Sequence, residues 1–267
     1  MEKIDVKSVI AAKNPKLLKI VPRFVIRWLE RIIHQDEMNS FYIPRQTMPS
    51  IEFAQNVTQM IGPEITLINE ENIPRTGRYI MVSNHPLGGL DGVTLIGVIG
   101  RYRSDIKVPV NDLLLYIEPL RDVFVPISKV GKNSRNNIRE LEAAFESDNL
   151  IIYFPAGLCS RRHNGIIRDP EWKKTIIGKA RETHRDIIPI HFAGRNSNWF
   201  YNLSNFRKKI GIKANIEMLY LVDEMYRQRG KSFTITFGNP IPYSTFDKSK
   251  TDKEWALWLQ DLVYGLS

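Results

Sequence analysis

Ser83-Asn84-His85-Pro86-Leu87-Gly88-Gly89-Leu90-Asp91-Gly92 follows the apolar run Tyr79-Ile80-Met81-Val82 and sets one histidine and one carboxylate around a Gly-Gly turn. The apolar run reads as a buried strand (78–83) and the segment from Asp91 as a helix (91–100), a strand–turn–helix junction typical of layered α/β folds. In a regular helix, residues six apart sit roughly 120° apart around the axis. An extended strand would separate them by about 20 Å. His85 and Asp91 therefore meet only if the chain folds back, and Pro86 with Gly88-Gly89 suits such a turn. A carboxylate on one imidazole nitrogen fixes the tautomer and leaves the other nitrogen a better base, able to take a proton from an alcohol. A lone histidine beside a Gly-rich turn is more often structural, and the Gly-Lys-Ser/Thr of a phosphate loop is absent, so the rest of the chain must decide.

Outward from this junction the pattern alternates. Helices are expected over 5–12, 22–34, 50–62, Asn133–Ser147, Trp172–Thr183, 215–229 and 251–265. Strands are expected over 106–110, 123–127, Ile151–Phe154, 187–193 and 233–237, with 113–118 ambiguous. The fold class is α/β: a layered fold with a largely parallel or mixed central sheet flanked by helices, plus an N-terminal amphipathic helical segment. Residues 1–65 form that helical segment and 66–267 the catalytic domain, together one structural unit without repeats or low-complexity stretches.

The 267 residues carry a formal net charge of +9 and 43% hydrophobic residues, enough for a sizeable core and a call for a negatively charged partner. The single cysteine excludes an intramolecular disulfide framework and fits a reducing compartment. No apolar run approaches the roughly 20 residues that span a bilayer, and Met1-Glu2-Lys3-Ile4-Asp5 does not open a signal peptide. From Pro22 to His34, Phe24, Val25, Trp28, Leu29, Ile32 and Ile33 recur at helical spacing beside a stripe of Arg23, Arg27 and Arg31. Such a helix either packs on the core or lies in a membrane interface, and both are possible at its two ends. His34, His163, His184 and His191 are scattered without metal-ligand spacing, so no metal is expected. Nucleic-acid binding would explain only the charge, since no helix-turn-helix, zinc-finger or RNA-binding signature is present.

Asn84-His85 followed by Asp91 resembles the signature block of the glycerolipid (lysophosphatidate-type) acyltransferase superfamily. Three more stretches fall in that family's order: Pro119 to Lys129, an apolar strand ending in a basic residue; Ile151 to Arg161, containing Phe154-Pro155-Ala156-Gly157; and Ile187-Ile188-Pro189-Ile190. Two departures stand out. Five residues separate His85 from Asp91 where the family has one fewer, and Ala156 replaces the family's Glu. The combination resembles the hemolysin-like branch that includes the ornithine and glycine lipid O-acyltransferases. Their acceptors carry a free carboxylate and no glycerol, and losing the Glu would remove a like-charge clash with it.

The resemblance implies a membrane-associated O-acyltransferase with His85 as base, Asp91 as its orienting partner, and no acyl-enzyme. Asn84, Gly88, Gly89, Lys129, Pro155, Ala156, Gly157 and Arg161 are the residues expected to shape or contact the substrate site. Backbone N–H groups near the Gly-rich turn are the expected donors to the oxyanion. The co-substrate would be a thioester of acyl carrier protein or coenzyme A, with a lean to the former; no resident cofactor is expected. The acceptor would be a lyso-lipid, with N-(3-hydroxyacyl) amino acids preferred and 1-acylglycerol-3-phosphate the alternative. A bacterial enzyme of this kind would sit peripherally on the anionic cytoplasmic face of the inner membrane. A non-catalytic or hydrolytic lipid protein is the remaining class; the absence of Gly-x-Ser-x-Gly argues against the common lipase form.

Overall fold

The computed structural model describes residues 3–13, 15–127 and 134–266. The chain opens with helices α1 (Val6–Lys13), α2 (Pro15–Ile20), α3 (Arg23–Ile32), α4 (Gln35–Tyr42) and α5 (Ser50–Ile61). There follow β1 (Glu64–Ile68), β2 (Tyr79–Ser83), α6 (Leu90–Ile99), β3 (Ile106–Val110), β4 (Phe124–Pro126), α7 (Ser134–Glu146) and β5 (Leu150–Tyr153). A hairpin of β6 (Arg161–His163) and β7 (Ile166–Arg168) leads to α8 (Thr175–Glu182), β8 (Asp186–Ala193), α9 (Asn198–Lys209) and α10 (Leu221–Tyr226). β9 (Ser232–Phe237) and α11 (Asp252–Tyr264) complete the chain.

A seven-stranded sheet runs in the order β1-β9-β8-β2-β5-β3-β4. β8, β2, β5, β3 and β4 are mutually parallel, and β9 turns the direction by pairing antiparallel with β8. The expected mixed α/β layering is what the chain adopts. Its cause is visible in the alternation of the central strands. Met81, Ile152, Ile188 and Ile190 face a core with α5 and α6, while Ile80, Val82, Ile151 and Ile187 face one with α7, α8 and α11. Strands buried on both faces read as continuous apolar runs, which is why these were legible.

Several elements differ from expectation. Residues 113–118 fall in short 3-10 turns, Asp112–Tyr116 and Glu118–Leu120. The helix expected over 215–229 is broken into a 3-10 segment, Ile216–Tyr220, and the short α10. There the fully buried side chains are Glu217 and Glu224 rather than the methionines, because each carboxylate has partners from elsewhere in the chain. β1 escaped notice because it lies at the sheet edge with half-buried positions alternating with exposed ones. Asn133, the expected helix start, lies outside the described residues, as do Ser128 and Lys129.

Helix α6, which carries Asp91, is held close to α5. A Cβ built on Gly100 would lie 2.4 Å from Ile51 Cγ2, and one on Gly97 would lie 3.3 Å from the Gln55 backbone nitrogen. Such a seam has no room for a methyl group. Gly100→Ala is expected to cost about 1–3 kcal/mol by overpacking. The readout is a lower urea midpoint at unchanged m-value, and a midpoint equal to the parent's would contradict the tight seam.

Candidate active site

The parallel strands end along one edge of the sheet, where ligand sites of α/β proteins gather. His85 follows β2, the Pro155-Ala156-Gly157 turn follows β5, and Asn196 follows β8. Asn84 extends the sheet by one side chain: its Oδ1 accepts from the Phe192 N–H at 2.7 Å and its Nδ2 donates to the Phe192 carbonyl at 3.0 Å. Beyond it the chain doubles back.

The fold-back brings His85 and Asp91 together. His85 Nδ1 lies 3.1 Å from Asp91 Oδ2, and the Asp91 side chain is wholly buried. The contact is short but off the line of an ideal N–H···O bond, and Nδ1 has no other partner among the described residues. The two groups form an ion pair only when the ring is protonated. Asp91 Oδ2 also accepts from the N–H of Leu87 (2.9 Å) and Gly88 (3.3 Å), and Oδ1 from the N–H of Gly92 (2.8 Å). The Gly88 N–H is thus spent on Asp91. Gly88 takes φ +79°, and a Cβ there would fall 2.9 Å from Cys159 Cβ. Gly89, at φ −161°, has open space around its Cα and caps α6.

Electrostatics follow from this packing. Burial works against the charged imidazolium of His85, but the Asp91 carboxylate, seconded by Asp169 and opposed by Arg161, outweighs it and raises the ring's pKa. Burial likewise works against the Asp91 anion, yet His85 and the backbone donors hold its pKa below the usual carboxylate value. With Nδ1 turned to Asp91, Nε2 is the nitrogen left to act as base. The Phe154 ring covers the imidazole at 4.4 Å between centroids.

The other expected residues divide. Pro155 and Ala156 are buried, with Ala156 in the apolar layer that includes Val125 and Trp172. Gly157 takes φ +66°, and the Lys173 amine lies over it, 2.7 Å from where a Cβ would stand. Arg161 sits on β6 with 8% exposure, its guanidinium donating to the Cys159 carbonyl at 2.7 Å and to Glu217 at 3.1 Å. It is tied into the protein by these bonds rather than free for substrate, on the short strand β6. Lys129 lies outside the described residues. Cys159 is buried and its thiol is pushed up to about 11 by burial, against a nucleophilic role. No group of three or more His, Cys, Asp or Glu side chains suited to a metal is found among the described residues.

A histidine–carboxylate pair at strand ends has the chemistry to take a proton, and the comparisons with known proteins give the family of the chain. A family model described as Acyltransferase matches residues 8–266. The chain belongs to the acyltransferase family. Two relatives named lyso-glycine lipid O-acyltransferase are similar to it over nearly their whole lengths. The one from Bacteroides thetaiotaomicron is 49% identical, covering 98% of this chain and 97% of its own. The one from Phocaeicola vulgatus is 47% identical, covering 98% and 95%. The crystal structure of a 1-acyl-sn-glycerophosphate acyltransferase from Thermotoga maritima shares the fold, with a TM-score of 0.51 at 14% identity over 90% of this chain and 94% of that one. In this acyltransferase, a polar depression lined by Arg78, Glu142, Glu146, Lys179 and His184 opens at the opposite, N-terminal edge of the strands, away from His85.

The site sets a sign for titration. In an NMR titration, the His85 ring of the acyltransferase is expected to take up its proton at higher pH than a free imidazole. Asp91→Asn, which leaves burial and Arg161 opposed only by Asp169, is expected to move that midpoint down. A midpoint unmoved by Asp91→Asn would contradict the pairing.

Proposed function

We propose that this acyltransferase moves a fatty acyl group from an acyl thioester to the 3-hydroxyl of an N-(3-hydroxyacyl)glycine, at a membrane surface. Acyl transfer to a lyso-lipid acceptor is its activity; the glycine headgroup, the residues and the membrane setting are the proposal. The observation that carries it is the His85–Asp91 pair at the strand ends, in a chain 49% identical to a lyso-glycine lipid O-acyltransferase.

The chemistry balances within the site. As the acceptor oxygen attacks the thioester carbonyl, His85 Nε2 takes the hydroxyl proton, and the imidazolium is stabilised by Asp91. A C–O bond forms, the tetrahedral intermediate expels the thiolate as the C–S bond breaks, and the imidazolium returns its proton to that sulfur. No covalent enzyme intermediate is needed. The turn beside His85 carries Ala156 rather than a carboxylate, and the Lys173 amine over Gly157 leaves it cationic, which suits an acidic headgroup. The donor is an acyl carrier protein or coenzyme A thioester, both acidic partners for a chain of net charge +9.

A surface on one side of the molecule supports membrane docking. Ile20 (76% exposed) and Phe24 (73%) project from the start of the α3 region, while Ile26 and Ile32 of the same helix are buried. The Tyr220 ring lies 5.7 Å from that of Trp28 and 6.1 Å from that of Trp199, joining α3 to α9 through the 216–220 turn. Phe206 and Ile210 continue the apolar face, and Arg23, Arg27, Lys208 and Lys209 are exposed on the same elements. Apolar side chains among basic ones are what an anionic interface selects. No helix among the described residues is long and apolar enough to cross a membrane. A peripheral position on the cytoplasmic face of the inner membrane is the proposed setting.

Two experiments test this reading. Offered an acyl thioester with lysophosphatidate and N-(3-hydroxyacyl)glycine in competition, the protein is expected to acylate the glycine compound. His85→Ala should lower that rate about 10²–10⁴-fold. Preferred acylation of lysophosphatidate would replace the acceptor, and an active His85→Ala would remove the base. In vesicle co-sedimentation, Phe24→Asp is expected to weaken binding to anionic vesicles about tenfold, as loss of one buried aromatic implies. Unchanged binding would place the membrane contact elsewhere.

A further inference from the structure

Asp169 belongs to none of the motifs legible in the sequence, yet it touches the backbone of the residue on which the site turns. It lies between β7 and α8 with 7% exposure. Both of its carboxylate oxygens face the His85 N–H, at 3.2 Å (Oδ1) and 3.1 Å (Oδ2). Oδ1 also accepts from the Ser160 hydroxyl at 2.6 Å, and Oδ2 from the Trp172 indole N–H at 3.0 Å. The Asp169 backbone is itself fixed from α11. Its N–H donates to the Tyr264 hydroxyl at 2.7 Å, and its carbonyl accepts from the Gln260 amide at 3.2 Å.

Burying a carboxylate is costly, and an apolar side chain of the same volume often serves stability as well or better. Each group brought to this carboxylate is a donor and favours the ionised form, yet burial outweighs them and raises its pKa above the usual carboxylate value. On the other side of residue 85, the Ser160 N–H donates to the His85 carbonyl at 2.8 Å. The peptide groups flanking His85 are therefore clamped at both ends by one small unit, Ser160 and Asp169, with Ser160 shared between the two clamps. Only the side-chain torsions of His85 remain to be set, and Asp91 and the Phe154 ring set them.

We propose that Asp169 is a positioning residue for acyl transfer: it holds the backbone of His85 so that the imidazole reaches Asp91 with Nε2 turned to the acceptor hydroxyl. This rests on the reading of His85 as the base. The charged groups that act on the imidazole are Asp91 from α6, Asp169 from the β7–α8 loop and Arg161 from β6. Asp169 adds negative charge near the ring and Arg161 opposes it, so loss of the Asp169 charge favours the neutral imidazole.

The test compares Asp169→Asn with Asp169→Ala in the purified enzyme, each checked for folding by circular dichroism. Asparagine keeps the shape, and by turning its amide to Ser160 it leaves its oxygen for His85 and Trp172. Asp169→Ala is expected to lower kcat about a hundredfold through misplacement of the base, with KM for the acceptor within about twofold of the parent. Asp169→Asn should recover part of kcat while the acid limb of its kcat/KM profile moves to lower pH. If Asp169→Ala does not fold, the asparagine variant decides alone. A kcat near the parent's with an unmoved acid limb, or a loss confined to KM, would overturn the proposal. His85→Ala in the same assay keeps the two readings apart. If it is inactive while the Asp169 variants are indifferent, only this inference fails; if it is active, the base assignment itself fails.

Discussion

A carboxylate with no exposed surface is tolerated only when its lone pairs find donors, and Asp91 is such a group. It is satisfied by the N–H groups of Leu87, Gly88 and Gly92, with the His85 ring 3.1 Å away. Those donors converge only if the chain reverses between His85 and Asp91. The reversal requires the left-handed backbone of Gly88 and lets Cys159 press against it. The turn after β5 must then lie against the turn after β2, and the Ser160 N–H to His85 carbonyl bond closes that contact. Helix α6 must start where Asp91 can point back, so its close seam with α5 also serves the site. One buried anion thus ties the geometry of two strand ends and one helix together.

A second buried carboxylate organises the neighbouring wall. Glu217 accepts from Arg161, from Arg207 and from Ser204, and its pKa, pushed up by burial, is brought below the usual value by these partners. Its place between two guanidinium groups ties the β6–β7 hairpin to α9 and to the 216–220 turn. That turn presents Leu219 to solvent, and the half-buried Tyr220 ring joins the exposed Trp28 and Trp199. Burial of the polar network beneath and exposure of the apolar residues above are therefore one arrangement. It spends Arg161 on structure and leaves Lys173 as a cation lying over the turn after β5.

What the sequence revealed depended on how locally each feature was determined. The central strands were legible because burial on both faces leaves apolar runs at Ile80–Val82, Leu150–Ile152 and Ile187–Ile190. The His85–Asp91 pairing was legible because both residues belong to one turn whose glycines announce the reversal. Asp169 was not, because its partners lie 84 residues away at His85 and 95 away at Tyr264. For the same reason Arg161 was expected at the substrate: its acceptor, Glu217, is 56 residues on. Helix α9 was obscured by its mixture of aromatic and polar residues, although Ser197 caps it by accepting from the Phe200 N–H. The lyso-lipid acceptor class was legible only through the resemblance that the four blocks carry.

In the proposed reaction the acceptor hydroxyl meets His85 Nε2 at the C-terminal edge of the parallel strands. A crystal structure of the protein with N-(3-hydroxyacyl)glycine bound tests it most directly. The expected result is the 3-hydroxyl oxygen within about 3 Å of Nε2, hydrogen-bond reach for a general base. A headgroup seated instead in the polar depression of Arg78, Glu142 and His184, at the other end of the sheet, would contradict it.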